Sequence, residues 1–305
     1  MSIRIVSSVL QKKAQVELNE NVNTIQDDIK HIKEWLKQQP HLEFNPDDQV
    51  ILNFLRGSKY SLQKTKKKLD MFYTMKTLLP EFYKNRDPLS SELHYILQQG
   101  LCLPLPKHDT NPQVIYVRLS VNDVSKIKFS DVLKVALMII DILLKDDDNF
   151  IISGQCGFID FANATMNHVV NLDLGVCKKA FECLHYAYPT RPKGGYFINT
   201  PTYFEKIVDL VKLWFPKKIA ERVFIFNTNN VHQLYEYVPL TSIPKECGGD
   251  GPTLDELTGY WLDKVTSYRN WFLDDEKICS NESKRIIDNG TLPELFNSFR
   301  KLDID

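Results

Sequence analysis

The sequence predicts an α/β protein preceded by an all-helical module. Two observations carry that reading. Residues 1–95 show only helical periodicity, whereas from about residue 112 short β-rich runs alternate with helical stretches. Such alternation calls for crossover helices, and strands joined by crossovers lie largely parallel in one sheet. The 305 residues, 43% hydrophobic and 25% charged, have an ordinary globular composition, and that length suggests two units able to bury cores of their own. We place a helical module at 1–95, an α/β domain at 96–265 and a helical tail at 266–305.

Within the first module, Val22, Ile25, Ile29, Ile32, Trp35 and Leu36 recur at helical spacing, and Pro40 closes that helix. A second helix begins at Asp47-Asp48, two acids suited to a positive helix end, and runs through Val50, Ile51, Phe54 and Leu55 to Gly57. Ser61 is placed to cap a third. It carries Leu62, Leu69, Met71, Phe72 and Met75 on one side, with Lys64, Lys66, Lys67 and Lys68 largely opposite, until Pro80. β-rich runs follow at 114–119, 157–161, 195–198 and 223–226, separated by helical stretches at 130–145, 164–187 and 203–221. Two more amphipathic stretches, 254–271 and 282–300, end the chain.

Processing signals are not expected. The apolar stretch before Gln11-Lys12-Lys13 is too short for a secretory core, and the apolar run 132–144 is broken by Lys134 and Asp141. Six scattered cysteines without a C-x-x-C spacing read as reduced thiols, and the sequons at Asn163, Asn281 and Asn289 as silent. The expected compartment is the cytoplasm, and a net charge of −1 gives no pointer to nucleic acid.

An α/β domain invites an enzyme reading, but no phosphate-binding, dinucleotide, nucleophile-elbow or H-E-x-x-H motif is present. The run Cys247-Gly248-Gly249-Asp250-Gly251 reads as a turn, and Asp146-Asp147-Asp148 as a solvated loop. The seven histidines never reach metal-ligand spacing. Asp160 is the best lone catalytic candidate, and it reads better as a carboxylate tying a strand end to neighbouring backbone. The expectation is a protein that is not an enzyme, with no cofactor and no metal.

Two features stand out. Phe204, Ile207, Val208, Val211, Trp214 and Phe215 form a wide helical stripe, with Glu205, Lys206, Asp209 and Lys212 opposite. Such a stripe serves either a crossover helix on a sheet or a surface for something apolar. Around it, from Arg191 to Arg222, seven basic residues face three acidic ones. The net charge thus hides opposed parts: +4 in 1–87, +4 in 191–222, −4 after Pro252 and −5 in the remainder. A basic cluster beside an apolar helix is either a solvated face or one suited to an anionic membrane.

FLRGSKYSLQKTKKKLDMFYTMKTLLPEF (54–82), GFIDF (157–161) with His168, YPTRPKGGYFINTPTYFEKIVDLVKLWFPKKIAERVFIF (188–226) and IPKECGG (243–249) together resemble the CRAL-TRIO lipid-binding family. The look is nearest to insect members described as α-tocopherol-transfer-like or retinaldehyde-binding-like. The resemblance implies a sheet flooring an apolar cavity, closed by a gate helix at 203–215. Phe204, Ile207, Val208, Val211 and Phe215 would face the ligand, with Trp214 at the membrane-seeking end. Further lining would come from Ala136, Leu137, Ile140, Ile159, Cys183, Leu184 and Phe197, with Gln155 and Tyr188 as polar groups. Asn163 stands where the family usually has Gly, and 132–144 offers no Ser or Thr to a ligand head. The family's phosphoinositide-binding positions would fall on Arg191, Lys193, Lys218 and Arg222, with Lys217 beside them. Arg56 matches the first Arg of an F-L-R motif, while Ser58 stands where many members carry another. The implied function is a monomeric cytoplasmic carrier for a retinoid, tocopherol, carotenoid, sterol or other isoprenoid. It would dock transiently on phosphoinositide-containing membranes, without nucleic-acid partners. The alternatives are a phosphatidylinositol/phosphatidylcholine exchanger and a lipid-modifying enzyme using Asp160 and His168.

Overall fold

A computed structural model describes residues 3–107, 110–119, 127–214, 216–226 and 231–286. The first helix is one that periodicity did not indicate. The Ser7 hydroxyl accepts from the Leu10 amide to start α1 (Ser8–Leu18), which ends where Asn19 turns left-handed at φ 65°. Only Leu10, Ala14 and Leu18 of α1 are buried, against Ile152, while Val9 and Val16 face outward. Then come α2 (Ile25–Leu36), α3 (Asp48–Gly57), α4 (Leu62–Leu78), α5 (Pro80–Tyr83) and α6 (Ser91–Gln98). The Asp47 carboxylate caps α3 by accepting from the Val50 amide, whereas the Ser61 side chain makes no cap bond to α4.

Five strands form one sheet in sequence order: β1 (Cys102–Pro104), β2 (Gln113–Arg118), β3 (Gln155–Asp160), β4 (Pro192–Ile198) and β5 (Val223–Phe226). Strand β1 is antiparallel to β2, and the other pairs are parallel. The helices α7 (Phe129–Asp146) and α8 (Asp148–Ser153) link β2 to β3. Next, α9 (Met166–Val170), α10 (Leu174–Glu182) and a π-turn over Cys183–Ala187 link β3 to β4. The helices α11 (Thr202–Lys212) and α12 (Lys217–Ala220) link β4 to β5. Right-handed crossovers between strands taken in order place these connections on one face of the sheet. The other face is closed by aromatic packing, where Tyr237 lies 5.3 Å from Tyr196 and 5.0 Å from Phe224.

The tail begins with α13 (Leu254–Ser267), fixed by a reciprocal cap between Thr253 and Glu256, and continues as α14 (Arg269–Asp275). The stretch expected to be helical at 282–300 holds one 3-10 turn at Glu282–Lys284 followed by two non-helical residues, and from 287 on it lies outside the described residues. The gate helix stops at Lys212, short of the expected 215.

Helical module and sheet domain share one core, in which Phe72 of α4 meets Tyr188 edge-on at 5.0 Å. Two buried arginines bolt them together. Arg56 Nε donates to Glu20 Oε2 at 2.8 Å and its Nη1 to Asp148 Oδ1 at 2.6 Å. Arg86 reaches Asp141 of α7 and Asp275 of α14. The acids at 146–148 are therefore no solvated loop: Asp146 holds Lys264 and Tyr268, Asp147 caps α8, and Asp148 takes Arg4 and Arg56.

Candidate functional site

Strand alternation gives the sheet two unlike faces. In β2, β3 and β4, Tyr116, Phe158, Tyr196 and Ile198 are buried, while Ile115, Val117, Ile159 and Phe197 between them stay partly accessible. Those half-covered apolar residues face the helical layer, where burial should be complete. They form a partly covered apolar floor. Over its C-terminal rows lies α11: Phe204 and Val208 are buried against Phe161 and Ala164, with Ile159, Phe197, Ile207, Val223 and Ile225 packed around them. The Phe161 and Phe204 rings stand 4.5 Å apart. Beside the start of α11 opens a cleft of about 70 Å³, lined by Leu119, Ile127, Val132, His168 and Phe204 among others.

The structure thus brings Ile159, Phe197, Phe204, Ile207 and Val208 together. Ala136, Leu137 and Ile140 lie on α7 in the main core, with Ala136 only partly covered and Leu137 at 2% exposure. Leu184 is half-buried on the π-turn and Val211 half-buried on α11, while Phe215 lies outside the described residues. Trp214 does not project outward; its ring sits 6.2 Å from Phe181 of α10. The outward apolar positions on this segment are Leu210 and Leu213, the latter 79% exposed. Sequence reasoning missed them because they fall on the polar side of the stripe.

Three expected lining residues have other duties. The Gln155 side chain donates to the Phe150 carbonyl and accepts from the Arg191 amide at 2.8 Å, bridging an irregular start of the β3–β4 pairing. Both ends of its amide are thus engaged with backbone. Tyr188 donates to Asp141 Oδ1 at 2.7 Å and accepts from the Tyr83 hydroxyl at 3.1 Å, in the joint between module and sheet domain. Cys183 lies 3.0 Å from that Tyr83 hydroxyl, and burial pushes its thiol up to about 12.

The enzyme alternative finds no paired Asp160 and His168. Asp160 accepts from the Tyr116 hydroxyl (2.9 Å), the Ala162 amide (2.8 Å) and the Asn199 amide group (2.8 Å). His168 Nδ1 accepts from the Thr165 amide at 3.0 Å. The Asp160 carboxylate holds a strand end and its turn, where Asn163 takes the left-handed φ of 61° that a glycine would otherwise supply. Replacing Asp160 with alanine is expected to cost about 2 kcal/mol in urea unfolding, because it leaves buried donors without an acceptor.

At the opposite, N-terminal end of the strands lies the basic edge. Arg56 is not part of it, since the guanidinium is 1% exposed and held by Glu20 and Asp148. Arg191 Nη2 and Lys193 Nζ each lie 3.2 Å from Glu17 Oε2 of α1. Burial works to raise the Glu17 carboxyl, but hydrogen bonds from Lys193 and Arg191 outweigh it and hold the group below its usual range. Lys217, Lys218 and Arg222 are exposed, and no carboxylate among the described residues pairs with them. No helix among the described residues is long and apolar enough to cross a membrane.

A helical module on a mostly parallel sheet, with one apolar face left half-covered under an amphipathic helix, defines a class of α/β protein suited to an apolar molecule. Known proteins place the chain within that class. A family model described as "CRAL/TRIO domain" matches residues 98–249, and one described as "Pinta-like, UBA domain" matches 21–93. Clavesin-1 of Xenopus laevis is 27% identical over 252 residues, 82% of this chain and 75% of that protein. Clavesin-2 of Homo sapiens is 26% identical over 252 residues, 82% and 76% of the two chains. The solved structure of Sfh5 shares the fold, with a TM-score of 0.51 at 13% identity over 86% of this chain and 98% of that one. The chain belongs to the CRAL/TRIO family of lipid-binding proteins.

Proposed function

We propose that the protein carries a neutral lipid between membranes, holding it between the sheet floor and α11. The observation that supports this reading most is the half-covered apolar face of β2, β3 and β4 beneath an amphipathic helix. A lipid of some 20 methylene-equivalents costs on the order of 15 kcal/mol to bring bare into water, at roughly 0.8 kcal/mol each. A carrier removes that cost by opening only against the bilayer. Leu210 and Leu213 give α11 an apolar outer edge, so the same helix covers the ligand when closed and meets acyl chains when open. Lys217, Lys218 and Arg222 follow it in the chain and supply attraction to an anionic surface, phosphoinositides included. The ligand falls among isoprenoid, retinoid, tocopherol-like or sterol-like molecules, since the residues around the floor are apolar.

Organic extraction of the purified protein followed by mass spectrometry tests the reading. A neutral lipid in near-stoichiometric amount is expected. Copurified phosphatidylinositol or phosphatidylcholine would replace the carrier with an exchanger. Phe204→Asp should abolish retention of the lipid, because it puts a charge into the apolar contact between α11 and the floor.

A further inference from the structure

Two glycines stand side by side in the floor. Gly157 of β3 and Gly195 of β4 are register partners, flanked in the same row by Ile115 of β2 and Val223 of β5. Their backbones do not demand glycine, for neither has a positive φ. Crowding does not demand it either. A Cβ at Gly195 would meet only Phe197 Cε2 at 3.5 Å and Val223 Cγ2 at 3.9 Å; at Gly157 it would meet only Ile159 Cδ1 at 3.0 Å, a flexible tip. The contrast is Gly249, whose Cβ would lie 2.2 Å from the Ile243 carbonyl oxygen.

Glycine inside a strand weakens it and marks a place where something approaches closely. Among the described residues, only the side-chain tips of Ile159, Phe197 and Val223 come near. Among the described residues, no atom of α7, α10 or α11 comes within 4 Å of either Cβ position. Gly157 is partly accessible and Gly195 lies buried beside it. The floor is therefore stepped. Under α11 it carries Ile159 and Phe197, and one row toward the basic edge it drops by the depth of two missing side chains. The recess spans two adjacent strands, about 5 Å apart, with Ile115 and Val223 as walls.

We propose that Gly157 and Gly195 set the ligand's shape: the recess takes a group wider than an unbranched chain, the ring-bearing end of a cyclised or fused-ring lipid. A single polymethylene chain leaves most of a two-strand recess unfilled and forfeits contacts on both sides. A flat ring system spans it. This inference rests on the carrier reading, and its test separates the two.

The test titrates delipidated wild-type protein and the variants Gly195→Val and Gly195→Ala with three fluorescent probes. All-trans-retinol and dehydroergosterol carry rings, and cis-parinaric acid carries none. Wild type should bind at least one ring-bearing probe. Gly195→Val should weaken that probe at least tenfold and leave cis-parinaric acid within about twofold, with an unchanged or higher thermal midpoint. Gly195→Ala, whose Cβ meets only ordinary contacts, should fold normally and show the same bias more weakly. Equal loss of ring and chain probes in Gly195→Val or Gly195→Ala, or no loss in either, would overturn the recess while leaving the carrier reading intact. Wild type that binds none of the three would overturn both.

Discussion

Arg86→Ala is expected to destabilise the fold by about 3–5 kcal/mol, the range for leaving a buried charge without its partner. The guanidinium is wholly buried. Its Nη2 donates to Asp141 Oδ2 at 2.5 Å and its Nη1 to Asp275 Oδ2 at 3.2 Å, and its Cζ lies 4.9 Å from the Phe272 ring centroid. It thus ties the end of the helical module to α7 and to α14. Burial pushes the Asp141 carboxyl upward, and Arg86 is the main group opposing that push. Without Arg86, the carboxyl either protonates or stands charged in the core, and the Tyr188 hydroxyl that donates to it loses a fixed partner. Urea unfolding followed by Trp fluorescence checks this, with Lys217→Ala as the surface control expected to move stability by no more than about 0.5 kcal/mol. A loss below 1 kcal/mol for Arg86→Ala would show that the modules are held by apolar packing alone.

Arg86 and Arg56 also show what can be learned from the chain before folding. Strands β2 to β5 were legible because β-branched and aromatic runs alternate with helical stretches, a signal that is local. The stripe from Phe204 to Val211 was legible for the same reason. Arg56 was not. Its acceptors Glu20 and Asp148 lie 36 and 92 positions away, so a match to the F-L-R motif alone leaves it looking available for an anion. Arg191 and Lys193 likewise have a partner that no local segment shows, since Glu17 is 174 and 176 positions from them. Gln155 looked like a polar group for a ligand because nothing near it in sequence announces the Arg191 amide. Helix α1 escaped notice because its buried side is only Leu10, Ala14 and Leu18, with valines on its outer side. The Gly157–Gly195 recess depends on strand register, which no single segment encodes. Local periodicity is readable; the partner of a charge is settled by topology.

Glu17 makes the basic edge a divided one, and that division can be measured. Replacing Lys217, Lys218 and Arg222 together with glutamine is expected to weaken binding to phosphoinositide-containing vesicles by about 3 kcal/mol, roughly 150-fold, at about 1 kcal/mol per charge near the surface. Vesicle co-sedimentation at low salt measures it, and the difference should shrink as salt rises, because exposed charges are screened. Glu17→Gln should act in the opposite direction. The Glu17 carboxyl is held below its usual range and so stays ionised at neutral pH, where it offsets one of the two positive charges that Arg191 and Lys193 carry. Removing that one negative charge raises the local charge by one unit and should strengthen binding by about 1 kcal/mol. Arg191 keeps its bond to the Ile152 carbonyl, so Lys193 should provide the larger share. Adding Glu17→Gln to the triple variant should restore part of the lost affinity if both halves of the edge face one membrane. If the triple variant binds within threefold of wild type at low salt, docking does not run through the exposed cations, and the apolar edge at Leu210 and Leu213 becomes the membrane contact to alter next.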